Sequence, residues 1–175
     1  MGQETTENFS RFRLGGIKLS EELALFTCRY DHAQQDLFSR LLDTIASQQI
    51  NIHYLCHSSN SDTDVSTLCV ATENSQEVKY LLRSFGQNRI QHIQQTGTLT
   101  LFPHRSSIRL MLNVLKLFKH NDLTVYGLCT SISALTLVMN YIDLDRSVAV
   151  LEDIVHLPEN HAPLRQEFTI RQVCF

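Results

Sequence analysis

No apolar run in this 175-residue chain approaches the roughly eighteen residues a bilayer span requires. The opening "MGQETTENFSRFR" also lacks the apolar core of a signal peptide. A net charge of −3 excludes the strongly basic face that a nucleic-acid partner needs. The five cysteines are odd in number and form no CxxC pair, so a reducing, cytoplasmic setting is expected, with neither nucleic acid nor membrane as partner.

Catalytic signatures are missing too. There is no GxSxG, Walker A loop or GxGxxG, and "RLGGIKL" is too short to frame one. His53 and His57 share a face of their expected strand, but no third or fourth ligand stands at a recognisable metal-site spacing. Cys56 and His57 are strand neighbours and face opposite ways, which rules out a nucleophile pair. The expectation is a non-enzyme that uses no metal and no cofactor.

What is present is a globular composition, 43% hydrophobic and 19% charged. "ELALFTCR" reads as a strand, and Leu37, Leu41, Leu42 and Ile45 then mark one face of a helix. "INIHYLCH" alternates as a strand that places Ile50, Ile52, Tyr54 and Cys56 together. After the loop "SSNSDTD" come a third strand, "VSTLCVAT", a helix striped by Val78, Leu81 and Phe85, and a fourth strand, "NRIQHIQ". Phe168 and Ile170 alternate as a last strand.

The chain then repeats itself. "INIHYLCHSS" is echoed 73 residues later, and Leu37, Leu41, Leu42 and Ile45 map onto Leu110, Val114, Leu115 and Phe118. Cys56 maps onto Cys129, and both are expected to share the core face of Ile52 and Val125. Beyond the second strand the offset falls to 70, taking Val78, Leu81 and Phe85 to Val148, Leu151 and Val155, as though the first copy's loop were longer. Strand, helix, strand, strand, helix, strand, twice over, predicts an α+β chain of two ferredoxin-like βαββαβ domains in tandem. Each is an antiparallel sheet with helices on one face. The expected boundaries are a polar N-terminus over 1–14, a first domain over 15–94 and a second over 95–175, with terminal strands open to exchange between them.

The stretches "LLDTIASQQINI", "TDVSTLCVATENSQEVKYLL" and "CTSISALTLVM" resemble the tandem ACT domains of the regulatory half of aspartokinases, over about residues 15 to 157. The resemblance implies a regulatory module without a kinase domain. ACT domains pair, commonly as homodimers, and bind small molecules, usually amino acids, where paired domains meet. Allosteric control of an enzyme partner follows from the same likeness. Matched residue by residue, Asn51 takes the place of the motif's Asn, and Thr124 is its counterpart in the second copy. Thr130 and Ser131 match part of the Ser-Thr-Ser turn, and Ser58 with Ser59 stands at the corresponding place in the first copy.

One departure matters physically. The family's strand-to-helix turn carries Pro-Gly; here those places hold Gln35-Asp36 and Ile108-Arg109. Glycine allows close approach and unusual backbone angles, which a Cβ removes. Asp36 also occupies the positive helix end that would otherwise suit a carboxylate. The second copy is more favourable. "PHRSSIR", carrying His104, offers Ser106 or Ser107 as a helix cap and Arg105 with Arg109 as carboxylate forks, unless both arginines are simply solvated. Two functions remain open: an amino-acid-binding regulatory module, and a partner-binding or structural subunit that has lost its ligand.

Overall fold

The computed structural model describes residues 11–31, 36–60, 62–84 and 90–165. Its elements are β1 Phe12–Arg13, β2 Gly16–Leu19, β3 Leu23–Asp31, α1 Asp36–Ser47, β4 Ile52–Ser59, β5 Thr63–Ala71, α2 Ser75–Ser84, β6 Ile90–Phe102, α3 Ile108–His120, β7 Val125–Thr130, β8 Leu135–Asn140, α4 Leu144–Leu151 and β9 Val155–His156. Among the described residues no helix is long and apolar enough to cross a membrane. Phe85, Phe168, Ile170 and Gln35 lie outside the described residues.

The chain forms two compact units. In the first, within Ser20–Thr98, the strands run in the order β4-β5-β3-β6 and every pair is antiparallel. Alternate residues of β3 (Ala24, Phe26, Cys28, Tyr30) and of β5 (Leu68, Val70) meet Leu41 and Ile45 of α1 and Val78 and Leu82 of α2. A period of two meets a period of about 3.6, and only that combination buries both faces in one core.

The second unit takes residues 99–165 together with the segment ending at Leu19. Its sheet order is β2-β6-β8-β7, with β2 antiparallel to β6 from Gly16↔Phe102 to Leu19↔Leu99. The N-terminal strand therefore fills the place that the last strand of the βαββαβ pattern would occupy. Ile17 and Leu19 join Leu99, Leu101, Leu135, Leu137 and Met139 under α3 and α4. β1 pairs in parallel with the short β9. β6 serves both units, since residues 90–96 pair with β3 and residues 99–102 with β2.

The repeat extends to details of backbone geometry. Both first helices end in a left-handed residue, Gln49 (φ 57°) and Asp122 (φ 54°). The next residues, Ile50 and Leu123, donate back to the carbonyls of Ile45 and Phe118 at 3.2 and 2.9 Å and are themselves buried. This paired-bond helix stop normally uses glycine, and here it is made twice without one.

Both second strands then carry a bulge at the same place. Ile52↔Val70 is followed by Tyr54↔Cys69, and Val125↔Met139 by Gly127↔Val138. One extra residue inverts the parity beyond it. Cys56 and Cys129 thus leave the core face expected for them and are exposed. His53 and His57 likewise part company: His53 lies 3.6 Å from Glu21, while His57 stacks on Phe38 of α1.

Two further expectations are corrected. The later offset is 69, because buried Ser75, Val78 and Leu82 correspond to buried Leu144, Ser147 and Leu151. The first copy's extra length lies in its strands. Four residues separate the last pairs Ser59↔Asp64 and Thr130↔Leu135 alike, but the first hairpin adds the rungs Ser58↔Val65 and Ser59↔Asp64.

Candidate functional site

In the second unit, β6 leads into the turn His104–Ser107, closed by a bond from the Ser107 amide to the His104 carbonyl at 3.0 Å. Its central residues, Arg105 and Ser106, have φ of 51° and 53°. Two successive left-handed residues suit glycine or asparagine, so a turn built from arginine and serine holds local strain. Ser107 is the cap, its Oγ accepting from the Leu110 amide at 3.2 Å.

A second turn, Ser131–Ala134, joins β7 to β8. Ser131 Oγ accepts from the Ala134 amide at 3.0 Å and from the Ser133 amide at 3.4 Å. His104 ties the two turns together. Its amide donates to the Ser133 carbonyl at 2.9 Å, and its buried imidazole reaches the Ser131 carbonyl at 2.7 Å and Thr130 Oγ1 at 3.1 Å. A carbonyl only accepts, so the proton sits on Nε2 and Thr130 Oγ1 takes the acceptor role toward it.

The structure therefore brings His104, Arg105, Ser106, Ser107, Thr130 and Ser131 to one corner of the second unit. Arg109 is exposed in the first turn of α3, and neither it nor Arg105 makes an ion pair among the described residues. Thr124 stands apart, six residues before Thr130, which is roughly 20 Å along an extended chain. In the first unit Asn51 precedes β4 and Ser58 lies near its end, seven residues on and roughly 23 Å away.

The first unit answers the same corner with different residues. Asn60, not Ser58 or Ser59, does there what Ser131 does in the second unit: Asn60 Oδ1 accepts from the amides of Asp62 and Thr63 at 3.0 and 2.8 Å. His57 takes the position of Thr130, its Nδ1 lying 2.9 Å from Ser66 Oγ, which also meets Tyr30 OH at 2.8 Å. Burial pushes the Tyr30 phenol up, against the lowering effect of its bond to Ser66, while Asp64 and Cys28 add to the rise. Burial also drives the thiols of Cys28 and Cys69 up to about 12, so both are inert thiols at neutral pH.

The sequence gives no sign of a cleft of about 440 Å³ in the second unit. Ile17, Val148, Leu151 and Val155 line it along with Arg11 and Glu152, and none of the ten residues expected to bind ligand is among its lining. Among the described residues no group of three or more His, Cys, Asp or Glu is placed to hold a metal ion.

No family model and no curated protein matches the sequence. Solved structures do match the fold. The ligand-free regulatory subunit of aspartate kinase from Thermus thermophilus superposes with a TM-score of 0.69 at 9% identity, covering 81% of this chain and 97% of that one. A structure of aspartokinase alpha and beta subunits gives 0.69 at 14% identity, with the same coverage of 81% and 97%. E. coli aspartokinase III in complex with lysine and aspartate gives 0.57 at 17% identity, over 85% of this chain and 34% of that one. The fold is thus that of tandem ACT-type regulatory domains, two ferredoxin-like units in one α+β chain.

Proposed function

We propose that this chain is a non-catalytic, cytoplasmic regulatory module that pairs as a homodimer and binds an amino acid through the second unit's strand-to-helix turn. Fold supports the regulatory part, since its structural neighbours include aspartate kinase regulatory subunits. One neighbour was crystallised with lysine and aspartate, which makes amino acids the first ligands to try. An enzyme subunit controlled by that ligand is the partner this reading implies.

The observation that carries the ligand reading is the strained turn Arg105–Ser106 held by the buried His104. Strain of this sort persists where surroundings over-determine it, and it recurs at ligand clamps. The turn opens α3, whose N-terminal amides favour a carboxylate together with the guanidinium groups of Arg105 and Arg109, which make no ion pair among the described residues. The first unit lacks these forks and opens α1 with Asp36, which repels an anion. Asn51 and Thr124 lie about 20 Å along their strands from such a corner in their own units, whereas Ser58 stands beside it, and all three join the set only where units of a pair meet.

A second reading, a partner-binding subunit without ligand, is favoured by the hydroxyls already spent inside the protein. Ser107 caps its helix and Ser131 closes its own turn. A thermal-shift screen of the twenty amino acids at millimolar concentration separates the two. The ligand reading expects one or a few to raise Tm, because binding only the folded state adds about 2.7 kcal/mol at a hundredfold excess over Kd. It also expects Arg105→Ala and Arg109→Ala to abolish the rise. No shift with any amino acid leaves the partner-binding reading. A shift that survives both substitutions moves the site elsewhere.

A further inference from the structure

The cleft beside α4 lies wholly within the second unit and belongs to no site described above. Its volume of about 440 Å³ falls in the range of small-molecule sites, roughly 300–1,000 Å³. Val148 and Leu151 of α4, Ile17 of β2 and Val155 of β9 give it an apolar floor. Residues 157–165 run along its edge from β9 back to β2 and are fixed at both ends. The Leu14 amide donates to the His156 carbonyl at 3.1 Å, and the Leu19 amide and Lys18 Nζ donate to the carbonyls of Leu164 and Pro163, each at 2.7 Å. Between those ends, residues 157–162 make no hydrogen bond to the rest of the unit among the described residues, so this wall can adjust to a ligand.

The repeat shows that the fold itself does not demand this lining. Sixty-nine positions earlier, Leu151 stays leucine as Leu82, but Val148 becomes Lys79 and Glu152 becomes Arg83. In the first unit a base thus stands in the last turn of α2, where the negative end of a helix favours one. Helix α4 has no base in its last turn and is followed by Glu152, which adds negative charge to a negative end. Glu159 is a second acid in the lining, and Arg11 is its one arginine or lysine. None of these three makes an ion pair among the described residues. His161 Nδ1 lies 2.9 Å from the Ala162 carbonyl and so donates to it, which leaves Nε2 of the neutral ring as an acceptor. The mouth is therefore net negative and rich in acceptors, above an apolar floor.

We infer that this cleft binds a small primary amine with an apolar body, its ammonium held at the mouth by Glu152 and Glu159 and its hydrocarbon laid on the floor. An ammonium brings three donors to a lining that offers two carboxylates and an imidazole nitrogen. A carboxylate ligand would instead meet two acids and the negative end of α4. A zwitterion would carry its carboxylate into the same mouth, where one arginine stands against two acids. The cleft needs neither Arg105 nor Arg109, so the inference is independent of whatever binds at the strained corner.

Isothermal titration calorimetry of the full-length chain with phenethylamine tests it, with circular dichroism to confirm that each variant folds. The amine is expected to bind, and phenylethanol and phenylpropionate, of the same shape without the positive charge, to bind about tenfold or more weakly. Glu152→Gln is expected to weaken the amine about fivefold and Arg11→Gln to tighten it about threefold, because one removes an attraction and the other a repulsion. Val148→Lys, which sets into the floor the residue that the first unit carries there, is expected to abolish binding. Arg109→Ala is expected to change nothing. No binding of the amine at millimolar concentration overturns the inference. Binding indifferent to both Glu152→Gln and Val148→Lys places the amine elsewhere and overturns it too. Phenylalanine binding more tightly than the amine, and weakened by Arg11→Gln, would make the ligand a zwitterion and likewise end the assignment.

Discussion

His104 Nε2 lies 2.7 Å from the carbonyl oxygen of Ser131, so one buried side chain fastens the turn that opens α3 to the turn that joins β7 and β8. His104→Ala would leave that carbonyl without its imidazole donor and open a hole beneath the turn. The expected loss is about 2–3 kcal/mol, read as a lower urea midpoint. Thr130→Val removes only an exposed hydroxyl at the edge of the same bond and is expected to cost under about 1 kcal/mol. Equal losses from the two substitutions would mean that the imidazole does not hold the turns together.

His92 carries a pH prediction. It stacks on Phe26 at 4.4 Å between ring centres, and its Nε2 lies 3.3 Å from Ser75 Oγ. Burial is the larger cause that lowers its pKa in the folded chain, and the nearby Lys79 ammonium adds to it. A histidine lowered on folding binds its proton more tightly in the unfolded chain. Stability from this source is therefore complete above the ordinary histidine value of about 6.5 and falls as pH drops below it. His92→Phe keeps the stack and removes the titration. The drop in urea midpoint between pH 7.5 and pH 5 is expected to be smaller in the variant than in the wild type. An unchanged drop would assign that pH dependence to other groups.

The helices are the legible part of this sequence, since the stripes of α1 and α3 repeat at helical spacing and Leu41, Ile45, Leu110, Val114 and Phe118 reach the core, although Leu115, expected on the same stripe, is exposed. The bulges opposite Val70 and Met139 are not legible, because one additional residue in a strand leaves no mark in composition. That single step is what moved Cys56 and Cys129 from the expected core face to the surface and parted His53 from His57. The placement of β2 is hidden for another reason: Gly16–Leu19 pairs with residues 80 to 86 positions away, and nothing local announces the partner. At the site, the cap by Ser107 follows from a serine standing before an apolar run, whereas the His104 latch spans 27 residues and depends on tertiary approach. The cleft beside α4 is lined by side chains that form no motif at all.

Gly16 faces Phe102 across the β2–β6 ladder and tests the assignment of the N-terminal strand to the second unit. A Cβ built on Gly16 would sit 2.8 Å from Phe102 Cζ and 3.3 Å from its Cε2, so the ring would have to turn away. Removing a strand glycine ordinarily adds about 0.5–1 kcal/mol of stability, since alanine loses less backbone freedom on folding. Overpacking costs about 1–3 kcal/mol, and the overlap with an aromatic ring puts Gly16→Ala on the losing side of that balance, by about 1–2 kcal/mol. Phe102→Leu removes the ring atoms the new methyl would strike. In that background the alanine is expected to be neutral or stabilising, giving a coupling of about 1 kcal/mol or more in a double-mutant cycle. Alanine that stabilises the wild-type chain would mean the two residues are not opposed, and β2 would then have to pair elsewhere.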